Sequence, residues 1–222
     1  MRKKLCLSGV FLLLFFGWIL LLKTVDVAPI APEGGLVGFS ALNLAFFQKT
    51  GYNPSLFKLT ELTGYLAILI CSVFFALGVF QFFRRKSLLK VDPAILLLGG
   101  LYIITILLYV LFLKVTVNVR PVILPDEGRP ESSFPSSHTM LAIVVMTTAI
   151  PVLGRYIRRP KLAALLCAVC VMFLVVSVAG RALCGAHWLT DIIGSVLISL
   201  TLIFAFFGAL DYLDRRAEKL PD

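Results

Sequence analysis

Six continuous apolar runs dominate the chain: Leu5 to Leu22, Leu59 to Phe83, Pro93 to Leu113, His138 to Leu153, Leu162 to Gly180 and Trp188 to Phe207. About 20 helical residues cross the hydrocarbon of a bilayer, so runs of this length read as membrane spans. The fourth run is the shortest and contains Pro151. None alternates between apolar and polar positions, and an open sheet cannot satisfy its backbone in lipid. The pattern predicts an all-α, polytopic membrane protein, a single domain over residues 1–222 with six transmembrane helices.

Composition agrees. With 59% hydrophobic and 15% charged residues and a mean hydropathy of +0.98, this is not a soluble domain with a modest core. The charges then set an orientation. Arg2, Lys3 and Lys4 precede the first run, and Arg84, Arg85, Lys86 and Lys90 lie between the second and third. Arg155, Arg158, Arg159 and Lys161 separate the fourth from the fifth, and Arg215, Arg216 and Lys219 follow the sixth. Of the 21 Lys and Arg, 14 fall on one side. By the positive-inside rule that side, with both termini, is cytoplasmic, and the opposite side of a plasma membrane faces outward. The net charge of +9 is then a topological signal and requires no nucleic-acid partner. The alternation also supports the fourth run, without which later basic loops fall on the wrong side. The first run is longer than a signal-peptide core and reads as a retained anchor. Cys167 and Cys170 form a CxxC pattern inside a span, where packing is the expected role rather than zinc or redox chemistry.

Three segments face outward. The first, Lys23 to Lys58, carries Phe39, Leu42, Phe46 and Phe47 at roughly helical spacing, as an interfacial helix would. The second, Lys114 to Ser137, is long enough to suggest function. The third is the short Arg181 to Trp188. Together they bring Lys114, Arg120, Arg129, Arg181, Ser136, Ser137, His138, His187 and Asp191 to one membrane face, including both histidines of the chain. His187 and Asp191 are spaced i, i+4, so on a helix the carboxylate holds one imidazole nitrogen and frees the other. Arginines suit phosphate through fork-shaped, charge-assisted hydrogen bonds, and serines at a helix start add an anion site of free amides. Two histidines can divide a phosphoryl transfer, one attacking phosphorus and one protonating the leaving oxygen.

The stretches Val119 to Pro121 (VRP), Phe134 to His138 (FPSSH) and Gly180 to Asp191 (GRALCGAHWLTD) resemble the three-part signature of the type 2 phosphatidic acid phosphatase family. Its superfamily includes the vanadium-dependent haloperoxidases. The family pattern is Lys, six residues, Arg-Pro; then Pro-Ser-Gly-His; then Ser-Arg, five residues, His, three residues, Asp. Three departures stand out. Only five residues separate Lys114 from Arg120, so the family's lysine position falls on Leu113; Ser137 replaces Gly; Gly180 replaces Ser.

The resemblance implies a helical core like that of the acid phosphatases and vanadium haloperoxidases. It implies that His187 is the nucleophile, oriented by Asp191, and that His138 protonates the leaving group and then activates water. Arg120, Arg181, Ser136, Ser137 and Lys114 then hold the phosphoryl oxygens. No metal or other cofactor is implied. Asp126, Glu127, Arg129 and Glu131 share the second loop, where headgroup selection or plain solvation is open to them. The expected partners are membrane lipids and a lipid phosphate or polyprenyl diphosphate substrate. A lipid phosphotransferase and a non-catalytic lipid-binding or transport protein are the alternatives.

Overall fold

The computed structural model describes residues 1–124 and 127–218, so Asp126 and Lys219 lie outside it. Among the described residues the order is α1 (Arg2–Thr24), β1 (Ala28–Ala31), β2 (Gly35–Val37), α2 (Ser40–Thr50), α3 (Pro54–Arg85), α4 (Pro93–Lys114), α5 (Ser137–Tyr156), α6 (Pro160–Leu183) and α7 (Leu189–Ala217). All helices except α2 are long and apolar enough to cross a membrane, and each coincides with one of the six apolar runs. The chain is an integral membrane protein. Local chemistry starts several of these helices: Asn53 Oδ1 caps α3 through Leu56 N at 3.0 Å, and Asp92 Oδ1 caps α4 through Ala94 N at 2.9 Å. Pro54, Pro93 and Pro160 occupy first-turn positions, where the missing N–H costs nothing.

The helices divide into a centre and a rim. Half or more of the apolar window of α5 and of α7 is buried inside the protein, against 11% for α1, α3 and α6. That explains the fourth run. It looks weak as a span because it faces protein more than lipid, and its buried positions include Thr139 and Thr148. Helix α5 continues through Pro151 without a break.

Some hydroxyls in the spans bond to their own helix, as Thr148 Oγ1 does to Val144 O at 2.7 Å and Ser195 Oγ to Asp191 O at 2.9 Å, and others cross to a neighbour, as Ser8 Oγ does to Thr201 O at 2.9 Å. Such bonds meet the demand of a solvent that offers no partners.

One end of the bundle is tied by charge. The N-terminal amine and Lys4 Nζ contact Asp211 at 3.1 and 2.8 Å, and Arg155 pairs with Asp214 at 2.8 Å. At the other end the first loop folds as an antiparallel hairpin, β1 against β2, followed by α2. The hydrophobic pattern anticipates α2 but not the hairpin, whose three- and four-residue strands are too short to show a period. Phe39 precedes α2 in the left-handed region and stacks on Trp18 of α1 at 5.2 Å.

The second loop is anchored by Phe134, which is 1% exposed and lies against Phe15 and Phe112 at 5.9 and 5.8 Å. Its ring rests on Gly194 of α7, where a Cβ would lie 2.2 Å from Phe134 Cε2. Gly194→Ala should therefore destabilise the protein by ~1–3 kcal/mol through overpacking. Gly9→Ala, with nothing within 4 Å, should be neutral. Thermal unfolding of both variants in detergent checks the pair, and equal melting temperatures contradict this packing.

Candidate active site

The second loop returns on itself to build the site. An isolated bridge pairs Val119 with Ser132, Arg120 N donates to Glu131 O at 2.9 Å, and Ser133 N donates to Asn118 O at 2.9 Å. Lys23 at the end of α1 holds the loop start through the carbonyls of Thr116 and Val117 at 2.9 and 3.0 Å. Arg120 is thereby set beside the start of α5, where the amides of Ser137, His138 and Thr139 precede the first helical bond, Met140 N to Ser136 O. Amides at such a start attract anions. The third segment turns at Gly185, whose φ is +70° and where a Cβ would collide with Gly51 O.

His187 is 3% exposed and bonded through both ring nitrogens. Nδ1 is 2.9 Å from Ser133 O, and Nε2 is 3.2 Å from Arg120 Nη1, which also donates to Ala186 O at 3.1 Å. A carbonyl only accepts and a guanidinium only donates, which assigns the proton to Nδ1 and the lone pair to Nε2. Burial holds this imidazole well below its usual range, and the charges of Arg120 and Arg181 act in the same direction. The ring is neutral at neutral pH.

Arg181, at the end of α6, is 1% exposed. Its Nη2 donates to Glu61 at 3.1 Å, and the guanidinium lies 4.6 Å from the Phe57 ring centre. The Nε atoms of both Arg120 and Arg181 are buried without a hydrogen-bond partner, and Arg120 Nε lies 3.7 Å from Glu131 Oε2.

These groups converge on a pocket of about 250 Å³. Ser137, His138, Arg120, Arg181 and His187 line its polar side; Phe57, Tyr109, Phe112 and Leu113 line the apolar side. Glu127 and Glu131 stand at the same pocket, and burial together with the adjacent Glu127 pushes the Glu131 carboxyl above its ordinary value. Among the described residues no group of three His, Cys, Asp or Glu side chains has a metal-holding arrangement.

A model of the PAP2 superfamily matches residues 93–215, more than half of the 222-residue chain. The chain belongs to the PAP2 superfamily. Its fold is similar to that in the "Crystal structure of the first transmembrane PAP2 type phosphatidylglycerolphosphate phosphatase from Bacillus subtilis". That similarity has a TM-score of 0.62 at 18% identity and covers 97% of this chain and 99% of the other. No curated protein matches the chain.

Three expected contacts of this PAP2 site differ in the structure. Asp191 Oδ2 is 3.9 Å from His187 Nδ1, beyond hydrogen-bond reach. The i, i+4 spacing does not form a direct hydrogen bond because α7 begins at Leu189 and His187 lies ahead of it in the loop. Asp191 instead accepts from Trp188 N at 3.0 Å and Asn118 Nδ2 at 2.9 Å, bracing the backbone on either side of the site. Lys114 closes α4 as an exposed residue outside the pocket, while Leu113 lines it. One residue fewer before Arg120 turns the lysine about 100° away from the family's position. Ser136 is fully buried with its hydroxyl on Thr139 Oγ1 at 3.0 Å, behind the pocket wall. Arg129 is exposed and does not line the pocket.

Sequence reasoning missed Asn118, Ser133 and Glu61. Ser133 acts through its carbonyl, for which no side chain signals. Asn118 adjoins the Val-Arg-Pro stretch, and an amide beside an expected buried site is a detectable signal. Glu61 is the sole acid in Pro54–Arg85, and the cost of a carboxylate in a span marks it.

With two histidines in the chain, ¹⁵N-histidine NMR of the His138→Ala variant isolates His187. The expected spectrum is that of the neutral Nδ1–H tautomer, persisting as pH falls through about 6.5, the ordinary imidazole value. A titration centred near that value contradicts the assignment.

Proposed function

We propose that this PAP2 protein is a membrane phosphatase that hydrolyses a lipid phosphate or diphosphate through a phosphohistidine on His187. The observation that carries this reading is a buried imidazole whose Nε2 holds the lone pair, in a pocket lined by two arginines. When the Arg120 donor passes from Nε2 to a phosphoryl oxygen, the freed lone pair attacks phosphorus as the bond to the leaving oxygen breaks, and His138 gives that oxygen its proton. His138 then takes a proton from water, which attacks the phosphohistidine; the P–N bond breaks and inorganic phosphate leaves. Arg120, Arg181 and the amide of Ser137 hold the three peripheral oxygens as charge moves across them. Ser136 and Asp191 support the backbone of the site, and Lys114 lies outside the pocket lining. The chemistry asks for no metal, because cationic side chains supply the electrostatic stabilisation.

The lipid substrate is supported by the apolar wall of Phe57, Tyr109, Phe112 and Leu113 beside the phosphate donors. Phosphatidate, phosphatidylglycerol phosphate and polyprenyl diphosphate each present such a phosphoryl group on an apolar body. The site lies at the end of the bundle opposite the basic loops, which supports an outward-facing site with both termini cytoplasmic.

Phosphate release from a panel of these lipids by the purified protein tests the reading. Activity should survive chelators and be inhibited by vanadate, and His187→Ala should lower it at least ~10³-fold. Transfer of the phosphoryl group to an added lipid with no release to water favours the phosphotransferase. Lipid binding without turnover favours the non-catalytic alternative.

Cys184 is fully buried, so orientation is better tested with new cysteines in a cysteine-free background. In intact cells an impermeant thiol reagent should label Lys49→Cys and spare Ala217→Cys, both exposed positions. The reverse pattern places the site on the cytoplasmic face.

A further inference from the structure

Glu61 enters the site from α3, upstream of residues 93–215 and outside all three motif stretches. Its Oε1 accepts from Arg181 Nη2 at 3.1 Å and lies 3.5 Å from His138 Nε2. Phe57, Thr60, Glu61 and Gly64 are spaced i, i+3, i+4 and i+7, so they form one face of α3. That face is fitted to the two motif residues. A Cβ on Gly64 would lie 2.7 Å from His138 Cδ2, so the imidazole sits directly on the α3 backbone. A Cβ on Gly180 would lie 2.4 Å from Thr60 Cγ2. The departure from serine at position 180 is thus the space that lets α3 approach and deliver its carboxylate.

A carboxylate beside a phosphate site opposes the substrate's charge, and in a span it is costly. Its benefit must lie in what it holds. Glu131 faces Arg120 at 3.7 Å, whereas among the described residues Glu61 is the carboxylate that contacts both Arg181 and His138.

Building on the phosphatase reading, we propose that Glu61 is a positioning residue for the proton donor. Its carboxylate fixes the Arg181 guanidinium and the His138 ring relative to each other, and offsets the positive charge when His138 bears the proton it delivers. Glu61 exchanges no proton itself. The proton passes from His138 to the leaving oxygen while the P–O bond breaks and the N–P bond forms.

The test compares leaving groups in the first turnover of the full-length protein. An alkyl lipid phosphate needs the proton, whereas p-nitrophenyl phosphate scarcely does. Glu61→Gln, nearly isosteric but uncharged, should slow phosphorylation by the lipid phosphate ~10–100-fold. It should slow the nitrophenolate burst less than ~3-fold, a skew in keeping with general-acid assistance. Glu61→Asp, which keeps the charge on a shorter stem, should show the same skew with a smaller loss, and serves if Glu61→Gln does not fold. Equal losses on both substrates, or no loss on either, overturn this role while leaving the phosphatase standing. A wild-type protein that cleaves neither substrate overturns the phosphatase reading and this role with it.

Discussion

Hydrocarbon offers no hydrogen bonds, so a polar group placed inside this bundle is costly unless it finds its partner in protein. The network beneath the site meets that constraint. Asn43 of α2 donates to Thr190 Oγ1 at 2.9 Å and to Gly38 O at 2.8 Å; Asn118 reaches Asp191 at 2.9 Å and accepts from Gly38 N at 3.2 Å. Asp191 in turn takes the Trp188 amide, and Trp188 Nε1 donates to Val119 O at 2.6 Å. All three outward segments are joined through these buried contacts. Asn43, Asn118, Thr190 and Asp191 are each fully buried, so losing one partner leaves another polar group without a bond. The small hairpin and α2 therefore belong to the support of the site, although they carry none of the signature residues.

Against that rigid base Arg120 and Arg181 line the pocket with the neutral His187, while Glu131 lies 3.7 Å from Arg120 and Glu61 3.1 Å from Arg181. The balance between cationic donors and acidic neighbours lets the charges stay oriented before a phosphate arrives, which is the arrangement electrostatic catalysis requires.

Much of this was legible in the chain. Continuous apolar runs showed the six spans because lipid-facing helices need no alternation, and the spacing in FPSSH and GRALCGAHWLTD pointed to His138, Arg181 and His187 at one end. What was not legible depends on where helices begin and which backbone atoms turn inward. The His187–Asp191 spacing suggested a direct bond, but α7 starts after His187 and gives Nδ1 to the Ser133 carbonyl instead. Lys114 matched by residue type, yet its turn of α4 directs Leu113 to the pocket. Glu61 belongs to no motif, and its closeness to His138 arises from the packing of α3 on Gly180 and Gly64. Such contacts come from tertiary structure and leave only a faint trace in spacing.

The central claim is a covalent bond between phosphorus and Nε2 of His187. Rapid quenching in alkali, with ³²P-labelled p-nitrophenyl phosphate, preserves phosphohistidine, and the His138→Ala variant should accumulate it because the nitrophenolate leaves without a proton while water activation is impaired. Peptide mapping should place the label on His187 in that variant and find none when His187 is also replaced by alanine. Label on another residue, or phosphate release by wild type with no trapped label in either protein, contradicts the account.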